Sequence, residues 1–426
     1  MRGSLEKRKK STVLRLALFA ACCAALPAFS RDVALAEAEK LLVQYNRELQ
    51  VARRGMESAD AQRLIAGARP NATFSINTSS ISSESGGGQI GQRQYDTVFR
   101  IDQPFERGNK RKLRLDAASG LQRAARHDFL DVLRQSFATL QGAYFDLKLA
   151  QDRAQTLAEN AQLFSGTLAA AQRRLKAGDL APADVAKVQV DFERAQNDAR
   201  SAQADLARAQ LALGYLLALE AEALELRAID PWPALERAEP RAVEEAVDAR
   251  PDVVAARARV AAAEKLRDLA RAQRTRDITL GAQYERFPGN VPVNSMGIGF
   301  AVPLFTGYDF SGDIQKAEVD RYSAMDALAR TRAVAMNELR RAAGDLNATA
   351  ERLERFDASL LGAANQSAQA SEFAFSRGAI SVLEVLDARR TLRAVRLEAL
   401  AARADYAKAL AAWRAAQASV QSLEIK

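Results

Sequence analysis

Between Lys110 and Lys176 the chain contains no proline, and Leu133, Leu140, Leu147, Ala154, Ala161, Leu168 and Leu175 recur at every seventh position. An apolar repeat of seven held this long marks a coiled-coil seam. At 1.5 Å per residue the helix reaches roughly 100 Å, well beyond a compact domain. Phe137 and Tyr144 fill intermediate places, and a second seam runs through Leu339, Leu346, Leu353 and Leu360. Each seam is interrupted by a glycine, Gly178 in RLKAGDLAPADV and Gly378 in FSRGAISVLEVL, 200 positions apart. Gly178 suits a left-handed C-terminal cap, and Asp179 or Pro182 suits the start of the next helix. Both interruptions therefore read as tips of helical hairpins. Aromatics at only 6% favour such helices over a large aromatic core.

Ahead of each hairpin lies a pair of strand-like segments, at about 72–82 and 95–105 in the first half and about 277–287 and 295–305 in the second. In SMGIGFAVPLF, Met296, Ile298, Phe300, Val302 and Leu304 share one face, and Gly297, Gly299, Ala301 and Pro303 the other. Tyr95, Thr97, Phe99 and Ile101 alternate with Asp96, Val98, Arg100 and Asp102; Phe74, Ile76, Ile278, Leu280 and Tyr284 fall on apolar faces of the remaining two. About ten residues with one apolar face and one small or polar face is the pattern of a transmembrane barrel strand. A soluble half-buried hairpin is the alternative for any single pair. The linkers SESGGGQIGQ and PGNVPVN read as exposed loops. Four strands cannot close a barrel, since the smallest membrane barrels use eight, so several chains have to combine. Closure also hides the edges that lipid does not tolerate.

Residues 1–30 have a charged start, the apolar run VLRLALFAACCAALPAF, and small residues at Ala28 and Ser30. This is the layout of a secretory signal peptide, and the run is short for a membrane span and contains Arg15 and Pro27. Cleavage after Ser30 removes both cysteines, Cys22 and Cys23, and with them any disulfide or thiolate metal site. Lipidation at Cys22 or Cys23 stays open, although LFAA is a poor lipobox. The net charge of +8 is largely this leader's: beyond it 55 basic residues face 52 acidic ones. Nucleic-acid binding is thus unsupported. After the leader no run of eighteen apolar residues appears, so transmembrane helices are not expected.

The two halves share one plan. NRELQVARRG at Asn46 aligns with RPDVVAARAR at Arg250, DQPFERG with AVPLFTG, and the two tips with each other. The proline-rich LRAIDPWPALERAEP separates them. The reading is a first repeat over 31–225, a connector over 226–240 that adds an irregular belt, a second repeat over 241–420 and a tail at 421–426. No phosphate loop, nucleophile elbow or zinc-binding helix motif is present, which argues against an enzyme and against a bound cofactor. His127 is the lone histidine, too few for a metal cluster.

This order of elements, with RGAISVLEVLDARRTL and AGDLAPADVAKVQVDF at the tips, resembles the TolC-like outer-membrane efflux proteins over essentially the whole mature chain. The resemblance implies a mainly α fold with a transmembrane β-barrel: a homotrimer in which four strands per chain build one shared barrel of twelve, continued by a tapering coiled-coil tunnel in the periplasm. It implies a passive duct, serving a tripartite pump with a periplasmic adaptor and an inner-membrane RND pump. The competing class is a periplasmic coiled-coil adaptor or scaffold with no barrel. DQPFERGNKRKLRLD is similar to the strand-to-helix junction of the heavy-metal, CzcC-like branch, and metal cargo needs no chelating residues in a wide aqueous conduit. Arg107, Lys110, Arg111, Lys112 and Arg114 in this stretch read most plainly as a solvated cationic loop. At a membrane surface they would engage phospholipid phosphates.

The same resemblance makes the tips at Gly178 and Gly378 the periplasmic entrance. Asp184, Glu384 and Asp387 match acidic positions lining it. Threefold rings of acids favour cations, while an acid in a first helical turn also complements the helix dipole. Phe375 and Ile380 stand where the best-known pattern has tyrosine and arginine, which puts a polar latch across the entrance in doubt.

Overall fold

A computed structural model describes residues 31–79, 96–238, 243–287, 293–377 and 379–419. The leader with Cys22 and Cys23, the glycine-rich linker, Gly378 and the last seven residues lie outside the described residues.

The chain is mainly helical. In order it runs β1 (Arg31–Val33), α1 (Leu35–Tyr45), α2 (Arg47–Gly67), β2 (Thr73–Ser79), β3 (Asp96–Phe105), α3 (Lys110–Lys176) and α4 (Pro182–Leu217). A 3-10 turn (Glu220–Glu225) leads to β4 (Leu226–Ala228), α5 (Val243–Asp248), α6 (Pro251–Ala272), β5 (Ile278–Phe287) and β6 (Val293–Ala301). Then come α7 (Ser311–Arg355), a π-helical turn (Phe356–Leu360), α8 (Leu361–Ser376) and α9 (Val382–Gln417). Two compact units result, one of Met1–Arg47, Ser136–Ala238 and Ala342–Trp413, the other of Glu48–Gln135, Glu239–Arg341 and Arg414–Lys426. Both draw on both halves of the sequence.

In the first unit the α3 seam is buried: Leu140 and Leu147 are inaccessible, and Ala154 packs with Leu157 and Ala202. Small alanines at these places let helices approach closely while leucines fill the gaps. The second seam departs from strict sevens. Leu339, Leu346 and Leu353 are buried, but Leu360 is 44% exposed. The π-helical turn explains this, because one extra residue in the turn rotates the next positions off the seam. Phe356 takes the interior place instead, packing with Ala399 and Ala402.

The connector is more ordered than an irregular belt. Its first residues form β4, paired in parallel with β1 in the register Arg31↔Leu226. Two buried tyrosines then hold the segment beyond β4. Tyr144 Oη lies 2.6 Å from Asp230 Oδ2 and 3.0 Å from Val33 O, and accepts from the Ile229 and Asp230 amides at 3.2 Å. Burial pushes the pKa of this hydroxyl up. Tyr406 Oη donates to Ala234 O at 2.7 Å and accepts from the Glu236 amide at 2.6 Å. Between them Trp232 stacks on Phe145 and donates to Asp152.

In the second unit β2, β3, β5 and β6 form one antiparallel sheet in that order. The central pairing joins the two halves of the sequence, in the register Phe99↔Tyr284 and Ile101↔Ala282. Paired antiparallel residues share a face, so Phe74, Ile76, Phe99, Ile101, Leu280, Tyr284, Met296, Ile298 and Phe300 form one apolar surface. It faces outward: Met296 is 88% exposed, Ile298 93% and Phe300 76%. The opposite face is polar. There Arg100 binds Asp102 at 2.7 Å and Gln283 at 3.0 Å, and Glu285 accepts from Ser295 at 3.1 Å. Gly281 lies against this ion pair, and any Cβ at 281 would collide with the Asp102 carboxylate.

Candidate functional site

The tips belong to the first unit. At the end of α3, Gly178 takes φ +79°, its amide donates to Leu175 O at 3.0 Å, and the Asp179 amide reaches back to Arg174 O at 2.9 Å. These two bonds form a Schellman cap, which leaves α4 to start at Pro182. The second tip repeats the longer bond at an offset of 200, with the Ala379 amide donating to Ala374 O at 2.9 Å.

The acids of the two tips are not equivalent. Asp184 pairs with Lys187 at 3.3 Å on its own helix. Glu384 closes a capping box: the Ser381 amide and hydroxyl donate to Glu384 Oε1 at 3.3 and 3.0 Å, and the Glu384 amide returns a bond to Ser381. Ser-x-x-Glu ahead of an apolar run is a sequence signature that the alignment of the tips passed over. Asp387 is exposed and has no ion-pair partner among the described residues. It occupies the place that Lys187 holds in the first tip, so the second tip lacks that cation on its helix and has Arg377 at the turn instead.

Phe375 packs into the cluster of Phe164, Val185, Val188, Val382 and Leu386 and carries the Arg174 guanidinium 5.1 Å from its ring centre. A cation–π contact thus joins the two hairpins at this residue. Further back, Arg390 grips the buried Asp191 with bonds of 2.6 and 2.7 Å, and Arg393 reaches Asp198 at 2.8 Å. Arg389 bonds Thr167 and Glu372, both at 2.8 Å, across a groove of about 580 Å³ that Phe375 and Leu386 also line. Sequence reading missed these arginines. Their 389, 390, 393 and 396 spacing on one helix was the available signal.

The basic stretch lies in the second unit, and much of it is already engaged. Lys110 is buried against Asp277 at 2.9 Å. Arg114 forks onto Glu106 at 2.6 and 3.1 Å and donates to Ala66 O and Ala68 O, while Arg111 donates to Gly67 O at 2.6 Å. Arg111 and Arg114 therefore tie the end of α2 to the start of α3, and Lys110 ties that start to the residue before β5. Arg107 and Lys112 remain exposed.

An exposed apolar sheet face backed by a polar one, with hairpin helices from each half, matches one known design. The profile of the family described as "Outer membrane efflux protein" matches residues 40–219 and 242–419. The chain belongs to the outer membrane efflux protein family. Among its relatives, the cobalt-zinc-cadmium resistance protein CzcC of Cupriavidus metallidurans is 27% identical over 312 residues, which cover 71% of this chain and 72% of that protein. Among solved structures, a membrane protein from Pseudomonas aeruginosa has the same fold with a TM-score of 0.76 at 19% identity, over 90% of this chain and 93% of that one. CusC, whose structures describe transmembrane channel formation, gives 0.74 at 19% identity, over 92% and 93%. Family membership makes this a non-enzymatic efflux protein of the outer membrane, and the adaptor or scaffold reading falls.

Proposed function

We propose that the chain is the outer-membrane duct of a tripartite, RND-type efflux system: a homotrimer whose twelve strands close one barrel and whose helices extend into the periplasm to meet an adaptor and pump. The sheet supports this reading most strongly. An apolar face exposed on all four strands, together with two unpaired edges at β2 and β6, suits lipid only if other copies complete the ring. In this reading residues 1–30 are an export leader, and 31–225 and 241–420 are two repeats joined by 226–240. Heavy-metal cations are the proposed cargo, supported by the likeness to CzcC. Arg107 and Lys112 are the members of the basic stretch left to meet lipid, with Lys110, Arg111 and Arg114 bracing the junction behind them. Mass measurement in detergent should give a trimer, and planar-bilayer recording should give a conducting pore. A stable non-conducting monomer would refute the duct.

Gly178 and Gly378 turn the chain at the periplasmic entrance, Phe375 packs the two hairpins together there, and Asp184, Glu384 and Asp387 line it. Three copies of Glu384 and Asp387 around a narrow bore concentrate negative potential and draw cations in. Glu384→Gln tests charge alone, since glutamine also completes a capping box. Combined with Asp387→Asn it should lower cation preference, read as a reversal potential moving toward zero in a salt gradient, with trimer yield unchanged. If Glu384 serves only its cap and the helix dipole, selectivity will hold and stability will fall by about 0.3–1 kcal/mol through that residue alone, since Asp387 lies beyond the first turn.

A further inference from the structure

At the helix end of the sheet stand two cations that no acid among the described residues neutralises. The last ladder pair between β3 and β5 is Phe105↔Ile278. Two residues past it, just outside the ends of β3 and β5, stand Arg107 and Arg276, in sequence step with the outward apolar residues Phe105 and Leu280. Both side chains are exposed. The acids nearby are committed: Glu106 to Arg114, Asp309 to Arg274, and Asp277 to the buried Lys110 and to the Arg107 amide at 2.9 Å. Neither Arg107 nor Arg276 has a carboxylate partner among the described residues. Arg276 is held instead over the ring of Phe305, 5.6 Å from its centre, and Phe305 packs edge-on against Phe310.

Location gives these two cations a role. No helix among the described residues is long and apolar enough to cross a membrane, so α3, which starts at Lys110, lies outside the lipid. The apolar face therefore meets water close to residues 105–107 and 276–278. In the duct reading that is the depth of the phospholipid headgroups. Guanidinium groups pair well with phosphate, and an aromatic ring beneath one of them fixes its plane without neutralising it.

We propose that Arg107 and Arg276 form a clamp for the phosphate of an anionic phospholipid at the periplasmic rim of the barrel. The proposal rests on the membrane reading given above. It moves the lipid contact from the sequence cluster 107–114 to a pair drawn from both repeats. A lone basic loop would attract any anion, whereas two guanidinium groups at the edge of an acyl-chain surface select a phosphate that carries a lipid tail.

The test uses the full mature chain in detergent, mixed with phosphatidylglycerol or phosphatidylcholine, with bound lipids counted by native mass spectrometry. Each arginine should favour the anionic lipid by about fivefold, so the wild type should retain phosphatidylglycerol preferentially by more than roughly tenfold. Arg107→Gln with Arg276→Gln should bring the two lipids close to parity at unchanged trimer mass. Arg107→Lys with Arg276→Lys keeps the charge but loses the planar forks, so only part of the preference should remain. Arg54→Gln, at an exposed arginine with its own partner Glu57, should leave it untouched. Millimolar inorganic phosphate should not displace the lipid. A wild type with no preference would overturn the clamp whether or not the glutamine variant folds, as would a glutamine variant that keeps the preference or free phosphate that competes fully. A conducting trimer without lipid preference removes the clamp alone. A protein that neither trimerises nor conducts removes the duct.

Discussion

Ile298→Lys and Phe300→Lys should leave outer membranes nearly empty of assembled protein, while Gly299→Lys assembles close to the wild-type level. The three positions are neighbours on β6, so strand propensity and distance from the turn hardly differ; what differs is the face. Ile298 and Phe300 lie on the outward apolar surface, 93% and 76% exposed, with Ala282 and Leu280 as their ladder partners. A lysine near the bilayer midplane there costs roughly 2–4 kcal/mol, and the proposed trimer would repeat that cost three times. Gly299 looks onto the polar face. A Cβ there meets only an Arg100 terminal nitrogen at 3.9 Å, and Arg100 is already paired with Asp102. Gly297 is a poorer control, because its Cβ would press on the Gln283 side chain at 3.1 Å. Gly299→Ala reports the backbone effect by itself. Heat-modifiable trimer in outer-membrane fractions is the readout, and equal yields from both faces would mean that the sheet does not sit in lipid.

Tyr144→Ala should unfasten the connector. Tyr144 is fully buried, and its hydroxyl joins β1, the Ile229 and Asp230 amides and the Asp230 carboxylate, which in turn accepts from the Leu35 amide at 2.6 Å. Removing a buried aromatic ring costs roughly 3–5 kcal/mol from lost burial and the cavity left behind. The freed Ile229 and Asp230 amides then stand without an acceptor. Tyr144→Phe keeps the ring and isolates that second effect, at about 1–3 kcal/mol. Both variants should lower the denaturation midpoint and open 226–238 to proteolysis, the alanine more than the phenylalanine. Tyr406→Phe should act in the same direction on the Ala234–Glu236 stretch. Wild-type protease resistance in Tyr144→Ala would show that β1–β4 pairing alone holds the connector.

The sequence by itself determined the elements. A heptad seam and a glycine stop are local signals, so the long helix ending at Lys176 and its turn at Gly178 were readable from spacing and backbone chirality alone. The strand faces were readable for the same reason, because alternation fixes which side chains share a surface. Only the tertiary structure decided how charges and strands pair. Arginines 389, 390 and 393 look like a solvated helix face until Thr167, Asp191 and Asp198 are brought beside them from about 200 residues away. The cations at 107–114 look alike in sequence, yet burial commits Lys110 to Asp277 and carbonyl or carboxylate partners take Arg111 and Arg114. The π-helical turn that expels Leu360 and the β4 strand inside the connector were equally hidden. Periodicity records what a residue does for its own helix or strand. It carries no information about which distant partner will desolvate that residue, and desolvation decides whether a charge braces the fold or remains free to act.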